Sequence, residues 1–259
     1  MSEGFEYGYG LFETIRFQEN EPQTIEKHYN RIKKSSVILD ISFNLSLLDF
    51  EGYVKRAIID SGLKHGVVRL QLSKENDDSS VITSTRKNRY SKCMYDQGFH
   101  VCISDVKKSS TGLLVSHKSV NYLENLLILR DAKKNDCDEA LFFNEKGHLT
   151  EGAYTNVFLV NNNRVLTPDI SCGLLEGTMR AQIIQACNEL GLKIEFEKIG
   201  INQLLESDEV FLTNALMGIM PVSELSVGND IIKFNRNRNN ENNNITGKLS
   251  QTVMVNWIY

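Results

Sequence analysis

The residue in this chain most open to covalent chemistry is a lysine at the junction of a short apolar stretch and a helical pattern. In LLVSHKSVNYLENLLILRDAKK (113–134) that residue is Lys118. A lysine whose proton affinity is depressed by burial can attack a carbonyl and form a Schiff base. Downstream, LTEGAYTNVFLV (149–160) places Glu151 at a Gly/Thr/Asn-rich approach to a strand, where a carboxylate can meet a protonated ring nitrogen or simply face water. In CGLLEGTMR (172–180), Gly177 precedes a helix, and the N–H groups of a helix start attract phosphate. TNALMGIMPV (213–222) carries one polar side chain, Asn214, between a threonine and small apolar groups, and taken alone reads as core. Each feature has a plainer reading as a solvated lysine, a turn carboxylate, a helix start or a core strand.

The elements that must hold these residues are legible from periodicity. GLFETIRF (10–17) alternates as a strand, with Phe12, Thr14 and Arg16 on one face. IEKHYNRIKKSS (25–36) has helical spacing, and residues 47–63 form an amphipathic helix with Phe50, Tyr53, Val54, Ala57 and Ile58 in its stripe and Gly62 at its end. VVRLQLS, SSVITST and HVCISDV read as strands, so the first half is expected to be α+β with an antiparallel sheet. Residues 105–117 read as a connection, followed by a helix over 120–134 and a β-meander over 140–168 with turns at NEKG and NNN. GTMRAQIIQACNELGLKI (177–194) is a helix with Ile183, Cys187 and Leu190 in its stripe, closed by Gly191. EVFLTNALMGIMPV (209–222) reads as a strand running into a loop, and NRNRNNENNN (235–244) as a loop between the last strands. The expected domains are a small one over 1–104, a linker over 105–117 and a larger one over 118–259.

Bulk composition narrows the function classes. A net charge of −4 offers no basic field for nucleic acid or an anionic membrane surface. No apolar run approaches the roughly 20 residues that span a bilayer, and MSEGFEYGYG has neither the basic nor the apolar region of a secretory signal. The five cysteines are scattered without ligand spacing, which predicts reduced thiols, no metal site and a cytosolic protein. GYG at 8–10 lacks a third glycine at the right offset and precedes a strand, so it is no dinucleotide fingerprint.

Taken in order, LFETIR, HYNRI, KSVNYLEN, LTEGAYTNVFLV and LLEGTMR make a pattern across roughly residues 4–225 that resembles the fold-type IV pyridoxal-phosphate enzymes. That family includes branched-chain and D-amino-acid aminotransferases and aminodeoxychorismate lyases. The resemblance implies a two-domain α+β fold of the D-amino-acid-aminotransferase type with pyridoxal 5'-phosphate between the domains, and a homodimer. It implies that Lys118 carries the cofactor and that Glu151 bonds its pyridine nitrogen. Arg31, the main chain at Thr178 and Met179 after Gly177, and the Asn214–Ala215 segment would meet the phosphate, and Tyr122 would line the ring or the lysine.

Within the family, aminotransferases usually read G-I-T-R at the helix start, whereas here Met179 takes the third place, as in the lyases. TNALMGIMPV is similar to the lyase run as well, and Thr14 matches a threonine those enzymes hold close to the cofactor. The implied activity is conversion of 4-amino-4-deoxychorismate to 4-aminobenzoate and pyruvate, a step of folate biosynthesis, with Lys118 and Thr14 catalytic. The alternative is an aminotransferase for D- or branched-chain amino acids. The chain begins close to GYGLFETIR, where relatives carry a further hairpin. Arg86 and Arg89 are the candidates for a substrate carboxylate.

Overall fold

A computed structural model describes residues 3–234, 244–255 and 257. They divide into two compact units, one within Met1–Arg89 plus His117–Tyr122 and the other within Tyr90–Ser116 plus Leu123–Tyr259.

In the first unit α1 (Glu3–Glu6) leads into β1 (Gly10–Gln18), followed by β2 (Glu21–Pro22), α2 (Ile25–Ile38), α3 (Leu47–Ser61), β3 (His65–Glu75) and β4 (Asp78–Arg86). The strands form one antiparallel sheet in the order β2-β1-β3-β4. Alternation along β1 sends Leu11, Ile15 and Phe17 into a core shared with Ile32 of α2, Phe50, Val54 and Ile58 of α3, and Val68, Leu70 and Leu72 of β3. Burying side chains of this size stabilises by about 1.5–3 kcal/mol each. Tyr53, expected in the α3 stripe, is instead exposed, because it lies off the arc formed by Phe50, Val54 and Ala57. The helix starts at a capping box in which Ser46 and Asp49 satisfy each other's backbone N–H, and it stops at Gly62 with φ 64°.

The second unit contains α4 (Lys92–Gln97), β5 (Phe99–Ile103), α5 (Leu123–Lys134), β6 (Glu139–Phe143), β7 (Leu149–Gly152), β8 (Asn156–Asn161), β9 (Arg164–Pro168), α6 (Thr178–Glu189), β10 (Ile194–Glu197), α7 (Ile201–Leu205), β11 (Glu209–Asn214), β12 (Gly218–Val227), β13 (Asp230–Lys233) and α8 (Ile245–Val253). The sheet runs β10-β9-β8-β11-β12-β5-β6-β7, with β13 on β12. Its core joins Phe158 and Phe211, stacked at 5.0 Å, to Met179, Ile183 and Cys187 of α6 and Leu249 of α8.

Several expectations are corrected by hydrogen bonding that no local pattern announces. HVCISDV does not extend the first sheet: β5 pairs in parallel with β6 and β12. Its segment therefore lies in the second unit, whereas residues 117–122 return to the first, so the units divide at points other than 104 and 118. The 140–168 segment is not a continuous meander, since β7 ladders with β6 while β8 ladders with β9 and β11. The turns themselves fall where expected, with Gly147 at φ 77° and Asn162 and Asn163 at φ 49° and 60°. TNALMGIMPV is the turn of a β11–β12 hairpin rather than a strand entering a loop. Leu190 caps α6 and is exposed. The loop expected over 235–244 falls on residues outside those described, except Asn244, which caps the start of helix α8 where a further strand was expected. Among the described residues no helix is long and apolar enough to cross a membrane, and no group of three His, Cys, Asp or Glu side chains gathers to hold a metal.

Ser46→Ala should lower stability by about 1 kcal/mol, since it removes the hydroxyl that accepts from the Asp49 N–H in the α3 capping box. Thermal unfolding of the variant against wild type measures this, and an unchanged midpoint would refute the role of the cap.

Candidate active site

In the first unit Lys118 is held against β1 by main-chain bonds. The Phe12 N–H donates to the Lys118 carbonyl at 2.9 Å, the Val120 N–H donates to the Gly10 carbonyl at 3.0 Å, and Leu11 bridges Ser119. Lys118 thereby stands over aromatic surface, its Nζ 4.4 Å from the Phe12 ring centroid and 5.1 Å from that of Tyr122. The two rings meet edge to face at 5.3 Å. The Arg69 guanidinium lies 3.7 Å from the Phe12 centroid, and Arg69 is the cross-strand partner of Thr14. Thr14 is half-buried on the same strand face as Phe12.

The opposite face of β1 carries Glu13, fully buried, whose carboxylate takes Arg31 in a two-point contact: Nε to Oε1 at 2.7 Å and Nη2 to Oε2 at 2.5 Å. His28 donates Nδ1–H to Oε2 at 2.5 Å, since a carboxylate can only accept, and its buried Nε2 has no hydrogen-bond partner. Burial acts to raise Glu13, but the charges and hydrogen bonds of Arg31 and His28 outweigh it and hold the carboxyl at about 2. Burial also lowers His28, against the pull of Glu13. Glu13 in turn raises Arg31 against the effect of burial, so the guanidinium keeps its charge. Arg31 is thus fixed on α2 by a residue that periodicity alone marks as core-facing.

In the second unit Glu151, at the β7 end, is 6% exposed. Its Oε1 accepts from Lys108 Nζ at 2.6 Å and its Oε2 from the Leu175 N–H at 3.0 Å. Asn156 donates Nδ2–H to the Leu175 carbonyl at 2.8 Å, fixing the turn before α6. Gly177 begins that helix without a side-chain cap, and a Cβ there would lie 2.1 Å from Asn156 Oδ1. The first-turn N–H groups at Thr178 and Met179 have no intrahelical acceptors, and no acidic side chain occupies the first turn. The Thr178 hydroxyl is buried there without a partner, whereas Met179 packs into the core with Ile183. Asn214 organises its hairpin turn, Oδ1 accepting from the Leu216 and Met217 N–H groups, both at 2.9 Å, and Nδ2 donating to the Tyr90 hydroxyl and the Tyr154 carbonyl. Ala215 follows in that turn, half-buried.

The structure therefore gathers Lys118, Tyr122 and Thr14 around Phe12 in one unit, and Glu151, Gly177, Thr178 and Met179 around the Leu175–Asn156 turn in the other. Arg86 and Arg89 are exposed. Sequence reasoning missed Lys108, Glu13, His28, Arg69 and Asn156. The one available signal for Glu13 was a carboxylate on the apolar side of an alternating strand. Each unit carries groups suited to part of a phosphorylated aldehyde cofactor with a ring nitrogen: in the first, a lysine amine on aromatic surface; in the second, a buried oriented carboxylate and a bare helix start whose threonine hydroxyl lacks a partner.

Comparison with known proteins agrees with this chemistry. The amino-transferase class IV family profile matches residues 10–225. The chain is 25% identical to an aminodeoxychorismate lyase of Bacillus subtilis over 232 residues, 86% of this chain and 79% of that protein. It is also 25% identical to a D-alanine aminotransferase of Bacillus licheniformis over 236 residues, 86% of this chain and 81% of that one. A crystal structure from Legionella pneumophila, provisionally assigned as a 4-amino-4-deoxychorismate lyase, superimposes with a TM-score of 0.83 at 31% identity, covering 90% of this chain and 87% of that one.

Glu13→Gln leaves Arg31 and His28 facing a neutral group and should cost about 3–5 kcal/mol. Because the native carboxyl titrates at about 2 against an ordinary 4.5, its contribution is full above pH 4.5 and fades as pH falls towards 2. Denaturant unfolding across that range should show the gap between variant and wild type narrowing with acidity; a constant gap would contradict the ion-pair account.

Proposed function

The chain belongs to the amino-transferase class IV family, and on that premise we propose that it is a pyridoxal-phosphate-dependent aminodeoxychorismate lyase, releasing 4-aminobenzoate and pyruvate from 4-amino-4-deoxychorismate. The observation that carries this reading is Met179. At the helix position where the aminotransferases of this family usually present a threonine hydroxyl, this chain buries a thioether in the α6 core, and the lyases share that substitution.

When bound, pyridoxal phosphate supplies an electron sink for the carbon that carries the substrate amine. Lys118 would hold the cofactor, and its free Nζ would take the proton from that carbon. The C–O bond to the enolpyruvyl group breaks, the ring becomes aromatic, and a proton returned from Lys118, with Thr14 assisting, turns the departing enolpyruvate into pyruvate. The proton removed balances the proton delivered, so the reaction needs no second substrate. Phe12 and Tyr122 provide Lys118 with surface that excludes water. Glu151 bonds the ring nitrogen. Arg31, its charge fixed by Glu13, and the main chain at Thr178, Met179 and Asn214–Ala215 meet the phosphate. Arg69, over the Phe12 ring, offers a guanidinium to one of the two substrate carboxylates in place of the exposed Arg86 and Arg89.

The equal similarity to a D-alanine aminotransferase supports a second reading, amino-group exchange between D- or branched-chain amino acids and keto acids. We further propose a cytosolic homodimer taking part in folate biosynthesis. Incubating the cofactor-loaded protein with 4-amino-4-deoxychorismate and no keto acid should give equal amounts of 4-aminobenzoate and pyruvate over many turnovers. Lys118→Ala should reduce that rate by about 10²–10⁴-fold. No product from protein that retains bound cofactor would defeat the lyase and favour the exchange reaction.

A further inference from the structure

Lys108 lies in the 105–117 segment that sequence patterning treats as a mere connection, yet its ammonium is largely withdrawn from water, the side chain being 11% exposed. Two features place it. Its N–H donates to the Phe143 carbonyl at 3.0 Å and its backbone bridges Asn144 in parallel, extending the β6 end of the sheet by one residue. Its stem then crosses Phe142, with Nζ 4.7 Å from the ring centroid, and ends 2.6 Å from Glu151 Oε1. The other oxygen is held by the Leu175 N–H at 3.0 Å. Arg180, whose charge also interacts with Glu151, donates to the Pro168 carbonyl.

A carboxylate has about four lone-pair directions. With one oxygen pinned by an ammonium and the other by a main-chain amide, its plane is fixed and only the unused directions remain for a ligand. We propose that Lys108 is a positioning residue: it sets the orientation in which Glu151 meets the ring nitrogen of the cofactor. This rests on the assignment of Glu151 to that nitrogen. Without Lys108, Oε1 loses its partner in a buried site and the carboxylate can turn about its last bond.

The test compares pyridoxal phosphate with its 1-deaza analogue, in which a ring C–H replaces the nitrogen while the aldehyde and phosphate are kept. Dissociation constants for both are measured on cofactor-stripped full-length wild type, E151A, K108M and K108R, with K108Q as the replacement should K108M not fold. Wild type should prefer pyridoxal phosphate by about tenfold, the worth of one hydrogen bond to a charged group. E151A should lose the preference, K108M should cut it to about threefold or less, and K108R should restore it. A change confined to folding or to phosphate binding would weaken both ligands alike and leave the ratio intact. If E151A loses the preference while K108M keeps or increases it, the role of Lys108 is overturned and Glu151 stands. If wild type shows no preference or E151A retains it, the Glu151 assignment itself falls.

Discussion

The pairing of residues 117–122 with β1 is the constraint on which the first unit's chemistry depends. Two main-chain hydrogen bonds bring a segment distant in sequence alongside Gly10–Phe12. Main-chain pairing fixes which side chains share a face. Lys118 therefore falls beside Phe12, on the strand face that Thr14 shares, and not on the Glu13 side. A slip of one residue would turn the lysine to the opposite face, where Leu11, Ile15 and Phe17 pack. Gly10 allows this packing from the other side of the strand, since a Cβ there would lie 2.5 Å from the Leu72 carbonyl.

That same alternation explains how one strand serves two charge environments. The Phe12 face presents aromatic surface to two cations, Lys118 and Arg69, contacts of the cation–π kind. The Glu13 face buries a carboxylate that would be costly alone and is tolerable because a guanidinium and an imidazole meet both its oxygens. The buried ion pair anchors α2 to the sheet while leaving Arg31 charged.

The second unit repeats the logic with main-chain donors. Glu139, buried in β6, accepts from the N–H groups of Ala140, Ala153 and Tyr154, and so holds the turn that comes after Glu151. Glu209 accepts from the Ile245 and Thr246 N–H groups at the start of α8. Carboxylates here are placed by orphan amides at turns and helix starts. Glu151 differs in having an ammonium as its second partner.

The local elements were written in the sequence: the alternation of GLFETIRF, the stripe through Phe50 and Val54, the Gly62 stop and the Asn162–Asn163 turn arise from side-chain period and from residues that tolerate positive φ. So were the motifs that place the chain in its family. Partnership was not legible. Nothing in HVCISDV distinguishes a strand that ladders in parallel with β12, more than a hundred residues away, from one that extends the first sheet. Nothing in DVKKSS tells Lys108, bonded to Glu151, from Lys107, and nothing in HYNRI reveals that Arg31 answers to Glu13. Period and propensity are properties of neighbours along the chain. Which strand edge meets which, and which charge is left to neutralise another away from water, is settled only when distant segments close on one another and every buried polar group must find a partner.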